Sequence, residues 1–289
     1  MDRKMTITIG GDLTVNRLGF GAMRLTGNGI WGEPPDRQGA IALLRRVVDR
    51  GVNFIDTADS YGPEVSERLI AEALHPYPRG LVIATKGGLV RPGAERWVPD
   101  CRPQHLREAC EGSLKRLKLD RIDLYQLHTV DPRVPLQDSI GALVDLQRAG
   151  KIRHIGVSNE NLSQLAQARA VARVVSVQNR YNLEDRAHED VVDACTREGL
   201  AFLPWYPLAA GALAARARGT LDEIARRHKA TRGQVALAWL LHRSPVVLPI
   251  PGTSSIEHFE ENVAAATLAL TEEEVAALSA LGSPPRTRT

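Results

Sequence analysis

Four polar residues of types suited to acid–base work on a carbonyl, Asp56, Tyr61, Lys86 and His128, fall at or just beyond the downstream ends of three successive apolar runs, VNFID, GLVIATK and IDLYQLH. A free tyrosine is a poor acid at neutral pH, with a pKa near about 10. A neighbouring ammonium favours the phenolate and lowers that value, and Lys86 is the expected ammonium. Asp56 would hold the lysine charged and aimed, while His128 would orient the oxygen of a substrate carbonyl beside the phenol. Such a set makes a proton donor for a carbonyl being reduced. Taken singly, each residue has an ordinary structural role open to it: Asp56 as a helix cap, Tyr61 with Gly62 as a turn, Lys86 as a solvated strand end, His128 as a core histidine. All four in phase with a repeating strand pattern make coincidence a poor account, because strand ends are where barrel enzymes keep their chemistry.

The elements that must position them alternate. TITIGGDLTV reads as a hairpin around Gly10, Gly11 and Asp12. RLGFGAMRL then precedes the helical DRQGAIALLRRVVDRG, in which Ile41, Leu44, Val47 and Val48 recur at helical spacing. VNFID precedes EVSERLIAEAL, GLVIATK precedes PQHLREACEGSLKRLKL, and IDLYQLH precedes LQDSIGALVDLQRAG. KIRHIGVSN, VVSVQN, AFLPWYP and VVLPIPG, each with its following helical stretch, bring the units to eight. Strict alternation forces parallel pairing through right-handed crossovers, and eight units predict a (β/α)8 TIM barrel with an N-terminal β-hairpin and long loops at the carboxyl face. One domain is expected over 1–289, with 1–16 as a hairpin cap and 283–289 as a loose tail.

An open doubly wound sheet is the competing architecture, and its glycine fingerprint is missing. Gly19 and Gly21 lack a third glycine; Gly27, Gly29 and Gly32 match GxGxxG but run into Pro34 and Pro35 rather than opening a helix. GVSNE has Glu160 where a hydrolase elbow requires glycine. His75, His105, His154, His188, His228 and His242 show no HxH or HExxH grouping, so no metal site is expected. A net charge of +3 from 37 basic and 34 acidic residues, without a dense basic run, gives no sign of nucleic acid. Cys101, Cys110 and Cys195 are odd in number and far apart, which suggests reduced thiols. With neither a signal-like start nor a run approaching the ~20 apolar residues of a membrane span, a cytoplasmic protein is expected.

Three long segments, 27–36, 87–102 and 209–220, leave the carboxyl ends of strands, as functional loops do. Trp31 and Trp97 lie in the first two and are the candidate substrate-binding residues for a flat, partly apolar molecule; each could equally pin its own loop. Ser158, Asn159 and Gln178 offer amides and a hydroxyl at later strand ends, groups that suit the carboxamide of a nicotinamide ring. Trp205 and Tyr206 offer aromatic faces. Gly252, Thr253, Ser254 and Ser255 stand between the last apolar run and a helix, a position where free N–H groups collect phosphate.

In order along nearly the whole chain, RLGFGAMRL, NFIDTADSYG, IATKGG, YQLH, IGVSN, VQNRYN, PWYPL and IPGTSS resemble the motifs of the aldo-keto reductase superfamily, and the 15–37 and PIPGTSSIEHFEEN stretches look closest to bacterial pyridoxal reductase-like members. The resemblance implies a barrel that binds NADPH without a Rossmann fold, with Asp56, Tyr61, Lys86 and His128 as catalytic tetrad. It implies Ser158, Asn159 and Gln178 on the carboxamide and Trp205 stacked on the nicotinamide, where tyrosine is more common. Gly21, Ala22, Met23, Asp56, Pro207, Leu208, Gly211, Gly252, Thr253, Ser254, His258, Glu261 and Asn262 complete the expected cofactor-binding set. Many NADPH-preferring members carry lysine and arginine where this chain has Gly252 and His258. NADPH is still the expected cofactor, through the hydroxyls of residues 253–255, with NADH kept open, and a lysine at 252 is expected to sharpen the preference. The expected function is carbonyl reduction of an aldehyde or ketone, with pyridoxal to pyridoxine as the named instance. A cofactor-bound regulatory or redox-sensing subunit with slow turnover is the alternative, and the expected partner is a small-molecule carbonyl compound.

Overall fold

The computed structural model describes residues 5–209 and 219–282. The antiparallel hairpin of β1 (Thr6–Ile9) and β2 (Leu13–Asn16) turns through Gly10 and Gly11, both at positive φ. A seven-stranded parallel sheet follows, formed by β3 (Phe20–Gly21), β4 (Phe54–Asp56), β5 (Val82–Gly87), β8 (Ile122–Leu127), β9 (Ile152–Ser158), β10 (Val174–Gln178) and β11 (Ala201–Phe202), neighbours in that order. Helices α1 (Arg37–Asp49), α2 (Val65–Leu74), α3 (Pro103–Leu117), α4 (Leu136–Arg148), α5 (Leu162–Val171) and α6 (Glu189–Glu198) connect the strands. After β11 come α7 (Gly219–Arg227), α8 (Arg232–Arg243), α9 (Ile256–Ala264) and α10 (Glu272–Ser279).

Strand β5 is buried at all six positions, as expected of a parallel strand lying between a layer of helices and an interior. The interior cluster joins Phe54, Val82, Ala84, Leu124, Leu203 and Leu248 to Ile7, Ile9, Leu13 and Val15 of the hairpin, so the hairpin's apolar face closes one end of the strands. Two further clusters fill the space between the strands and the helices.

The expected eighth strand is not a regular one. Residues 246–251 contain Pro249 and Pro251, which have no N–H for a ladder. The segment nevertheless bonds to both sheet edges. Phe202 N donates to Val246 O (2.9 Å) and Leu248 N to Phe202 O (2.8 Å), while Gly19 N donates to Pro249 O (2.9 Å) and Gly21 N to Pro251 O (3.2 Å). The α/β sheet is thus barrel-like, with this segment across its seam. Arg17, fully buried, reinforces the seam by donating to the carbonyls of Leu241, Ser244 and Val247.

Residues 87–102 are not a plain loop. They hold a hairpin of β6 (Leu89–Gly93) and β7 (Arg96–Pro99). Helix α10 was also not among the expected elements, although Thr271 and Glu274 form a capping box at its start. The literal glycine fingerprint is a closed turn in which Gly27 N donates to Gly32 O (3.0 Å), and no helix opens from it before Arg37. Among the described residues no helix is long and apolar enough to cross a membrane, and no group of residues could hold a metal ion. All three cysteines are buried and unbridged.

Candidate active site

Asp56 ends β4, Lys86 lies next to the end of β5, and His128 directly follows β8. Since β4 pairs with β5 and β5 with β8, the three side chains converge at one end of adjacent strands. Tyr61 reaches the same place from the turn that leads into α2. Lys86 is fully buried, and its Nζ donates to Asp56 Oδ2 (2.7 Å), to Thr57 O (2.8 Å) and to Tyr61 OH (3.3 Å). The other carboxylate oxygen of Asp56 accepts from Gln178 Nε2 (2.8 Å) and Gln126 Nε2 (3.2 Å). Hydrogen bonds from three sides make this buried ion pair tenable, since a buried charge without such support is costly. The rings of Tyr61 and His128 meet edge to face at 5.8 Å between centroids.

Burial raises the Tyr61 phenol above its ordinary value, and the opposing pull of Lys86 does not cancel it. This corrects the expectation of a lowered value, because desolvation disfavours phenolate more strongly than one already-paired ammonium favours it. Burial also works against the Lys86 ammonium, yet Asp56 and Tyr61 outweigh it and the lysine stays charged. His128 is pushed well below its usual range, first by burial and then by the Lys86 charge. A neutral phenol, an ammonium and a neutral imidazole therefore line the site near pH 7.

Trp97, in β7, stands edge-on to both Tyr61 (6.4 Å) and His128 (6.5 Å). Trp31 lies one step further out. Both tryptophans face Arg91, whose guanidinium carbon is 3.7 Å from the Trp97 ring centre and 5.6 Å from that of Trp31. Arg91 also donates to the carbonyls of Gly29, Ile30, Ser60 and Ala94, fastening the two loops to each other and to the residue before Tyr61. Sequence reasoning missed Arg91, which no spacing marks. It missed Gln126 as well, although period-two alternation places Gln126 on the face of His128.

On the other side of the mouth, Ser158 Oγ donates to Gln178 O (2.7 Å), Asn159 Nδ2 donates to His128 O and Ser158 Oγ (both 3.0 Å), and half-buried Trp205 donates through Nε1 to Asn159 Oδ1 (3.0 Å). Gln178 lies deeper, its amide nitrogen committed to Asp56. Pro207 is buried and Leu208 packs toward α8 beside Gly233, while Gly211 lies outside the described residues. Past residue 251, Ser255 Oγ caps α9 by accepting from His258 N (3.3 Å), and Thr253 Oγ1 accepts from Ser255 N (3.0 Å). His258 is exposed, Glu261 is half-buried and Asn262 is buried. Gly21 and Gly252 face each other so closely that a Cβ on Gly252 would lie 2.6 Å from Gly21 O. A lysine at 252 therefore cannot enter without moving backbone, contrary to the expectation that it would sharpen cofactor preference. Beside the glycines a cleft of about 410 Å³ is lined by Met23, Arg24, Asn28, Asp36 and Ser254 among others, with Ala22 buried behind it.

With this arrangement in view, comparison with known proteins is decisive. The profile of the Aldo/keto reductase family matches residues 17–283. The chain belongs to that family. It is 50% identical over 272 residues to an uncharacterized oxidoreductase of Schizosaccharomyces pombe, covering 94% of this chain and 88% of that one. It is 44% identical over 282 residues to pyridoxine 4-dehydrogenase of Escherichia coli K12, covering 96% and 98%. Among solved structures, an aldo-keto reductase from Klebsiella pneumoniae in complex with NADPH superposes with a TM-score of 0.84 at 31% identity, covering all of this chain and 98% of that one. The chain is accordingly an NAD(P)H-dependent oxidoreductase of this family.

Proposed function

We propose that this chain is an NADPH-dependent carbonyl reductase in which Tyr61 donates the proton, and that pyridoxal is among its substrates. The single observation that carries the reading is Lys86, buried between Asp56 and Tyr61 and bonded to both. We further read residues 246–251 as the eighth strand of a closed (β/α)8 barrel, and the chain as one domain at work in the cytoplasm.

The residues present fit the dinucleotide. The Gly21–Gly252 contact brings two backbone segments together beside the cleft, Asn159 and Trp205 offer polar and aromatic surface, and the cleft is in the size range of ligand pockets, about 300–1,000 Å³. When bound, NADPH supplies a hydride, that is a proton with the electron pair, from C4 of its nicotinamide. The chain's own residues handle the proton. Ser60 Oγ lies 3.4 Å from His128 Nδ1; with Ser60 as donor there, the neutral imidazole keeps its proton on Nε2 and directs it at the substrate oxygen. Tyr61 transfers its hydroxyl proton to the same oxygen, completing an aldehyde-to-alcohol conversion that consumes one hydride and one proton. Lys86 stabilises the phenolate left behind, and Asp56 keeps Lys86 aimed. Trp97 walls the mouth, and a planar aldehyde can lie against its ring with the carbonyl at Tyr61.

The test is NADPH oxidation against a panel of aldehydes that includes pyridoxal, in the parent and in Trp31→Ala. Turnover of pyridoxal, with a selective loss on pyridoxal over a short aliphatic aldehyde in the variant, supports the reading. Activity on general aldehydes without pyridoxal removes the named substrate, and no NADPH oxidation with any carbonyl overturns the reductase.

A further inference from the structure

Two exposed features meet beside Gly252. A Cβ built on Gly252 has, after the Gly21 backbone, Arg24 Cγ as its nearest neighbour at 3.7 Å. The aliphatic stem of Arg24 thus already lies where a side chain from residue 252 would start. Arg24 belongs to the short 3-10 helix Ala22–Leu25 after β3 and is exposed. Its guanidinium makes no hydrogen bond or ion pair with another described residue. Among the described residues that line the adjacent cleft, Arg24 is the one cation. The one carboxylate there, Asp36, is engaged in capping α1 through Gly39 N (2.8 Å). Across the cleft stands Ser254, whose hydroxyl is unpaired among the described residues, whereas Thr253 and Ser255 use theirs on local backbone N–H groups.

We propose that Arg24 is the specificity-determining cation of the cofactor site: it receives the adenosine 2′-phosphate of NADPH, with Ser254 as a second donor. This rests on the NADPH reading above and assigns its selectivity to a residue of the segment that faces Gly252. A phosphomonoester carries about −1.5 to −2 charge at pH 7, and a guanidinium meets such a group with paired, charge-assisted N–H donors. NADH lacks that phosphate and gains nothing from Arg24. A side chain at position 252 would crowd the Gly21 backbone, and the 3-10 helix instead supplies a cation that already lines the cleft.

Dissociation constants for NADPH and NADH, read from cofactor fluorescence, test the assignment in the full chain, in Arg24→Ala and in Arg24→Lys, at low and high salt. Loss of one charge-assisted phosphate contact should weaken NADPH about 10- to 100-fold in Arg24→Ala and leave NADH within about twofold. Arg24→Lys should recover part of the loss, and added salt should weaken NADPH more in the parent than in Arg24→Ala. Unchanged NADPH affinity in Arg24→Ala overturns the proposal, as does an equal loss for both cofactors. A parent that binds neither dinucleotide overturns the cofactor reading itself, a result distinct from either.

Discussion

The half of the site built on β4, β5 and β8 and the half built on β9 to β11 with residues 252–258 differ in how their polar atoms are held. In the first, Asp56, Lys86 and His128 are buried, and the Asp56–Lys86 pair is bonded on every side. In the second, Asn159, Trp205, Ser254 and His258 are partly or largely exposed; Trp205 donates to Asn159 and Asn159 to the His128 carbonyl, while the Ser254 hydroxyl has no partner among the described residues. The contrast teaches a division of labour. Groups proposed to move a proton or to aim the group that does are buried and fixed before substrate arrives, where electrostatics act most strongly. Several of the groups proposed to hold the dinucleotide, Asn159, Trp205, Ser254 and His258, stay at the surface, where a large ligand can enter and displace local bonds.

Breaking the buried half should have the largest effect. Lys86→Met strands the Asp56 charge, and loss of one partner of a buried pair costs about 3–5 kcal/mol. Thermal unfolding should show a large fall in Tm, and the folded fraction should reduce carbonyls poorly. Because Lys86 is the one group drawing the phenol's pKa downward, its removal should also move the pH profile of alcohol oxidation to higher pH. An unchanged profile would detach the lysine from the tyrosine.

Tyr61→Phe removes one hydroxyl and leaves the pair intact. Turnover should drop by about 100-fold or more, while the dissociation constant for NADPH stays within about twofold. Comparable losses in both would place Tyr61 on the cofactor side of the comparison.

Glu160, next to Asn159, sharpens the contrast from the exposed half. It is fully buried, neither carboxylate oxygen has a partner, and burial pushes its carboxyl up to about 8. The folded state therefore holds a proton that the unfolded chain, titrating near about 4.3, releases earlier. Stability attributable to this group falls as pH rises from about 4.3 to about 8 and is level above that. In Glu160→Gln, whose amide never ionises, the Tm advantage over the parent should widen by several degrees between pH 5 and pH 8. A constant difference across that window would show that Glu160 does not titrate there.

The smallest change is one methyl group. Gly252→Ala places a Cβ against Gly21 O at 2.6 Å, and such crowding costs about 1–3 kcal/mol. Calorimetry should show that loss, and NADPH binding should weaken with it. A variant of parental stability would mean that the two backbone segments separate more easily than the Gly21–Gly252 contact implies.

The alternation of apolar and amphipathic runs makes most of the parallel sheet legible in the sequence, because strands buried on both faces read as unbroken apolar runs and the helices as one-sided stripes. Asp56, Lys86 and His128 are legible for a related reason, since each follows such a run directly. What the sequence hides is decided by burial and distance. Lys86 predicts a lowered Tyr61 value until the desolvation of the phenol is weighed against it. Gly252 reads as a vacant place for a lysine until Gly21 is found against it. Arg91 looks like any surface arginine, since nothing local foretells that residues 27–31 and 91–97 fold over it from both sides. The β6–β7 hairpin is hidden by Pro92 and Gly93, which argue for a loop.

Arg17 and the seam it braces bear on how the chain is made. Its bonds reach residues up to 230 positions later in sequence, so the first strand of the sheet has no partner on its outer edge until residues 246–251 have been made. Before that point the amides of Gly19 and Gly21 lack the carbonyls of Pro249 and Pro251 that they meet in the folded chain. On the closed-barrel reading proposed above, pairing across this seam has to follow synthesis of residues 246–251. In pulse-labelled hydrogen exchange on a refolding chain, those two amides should gain protection after the β5–β8 ladder.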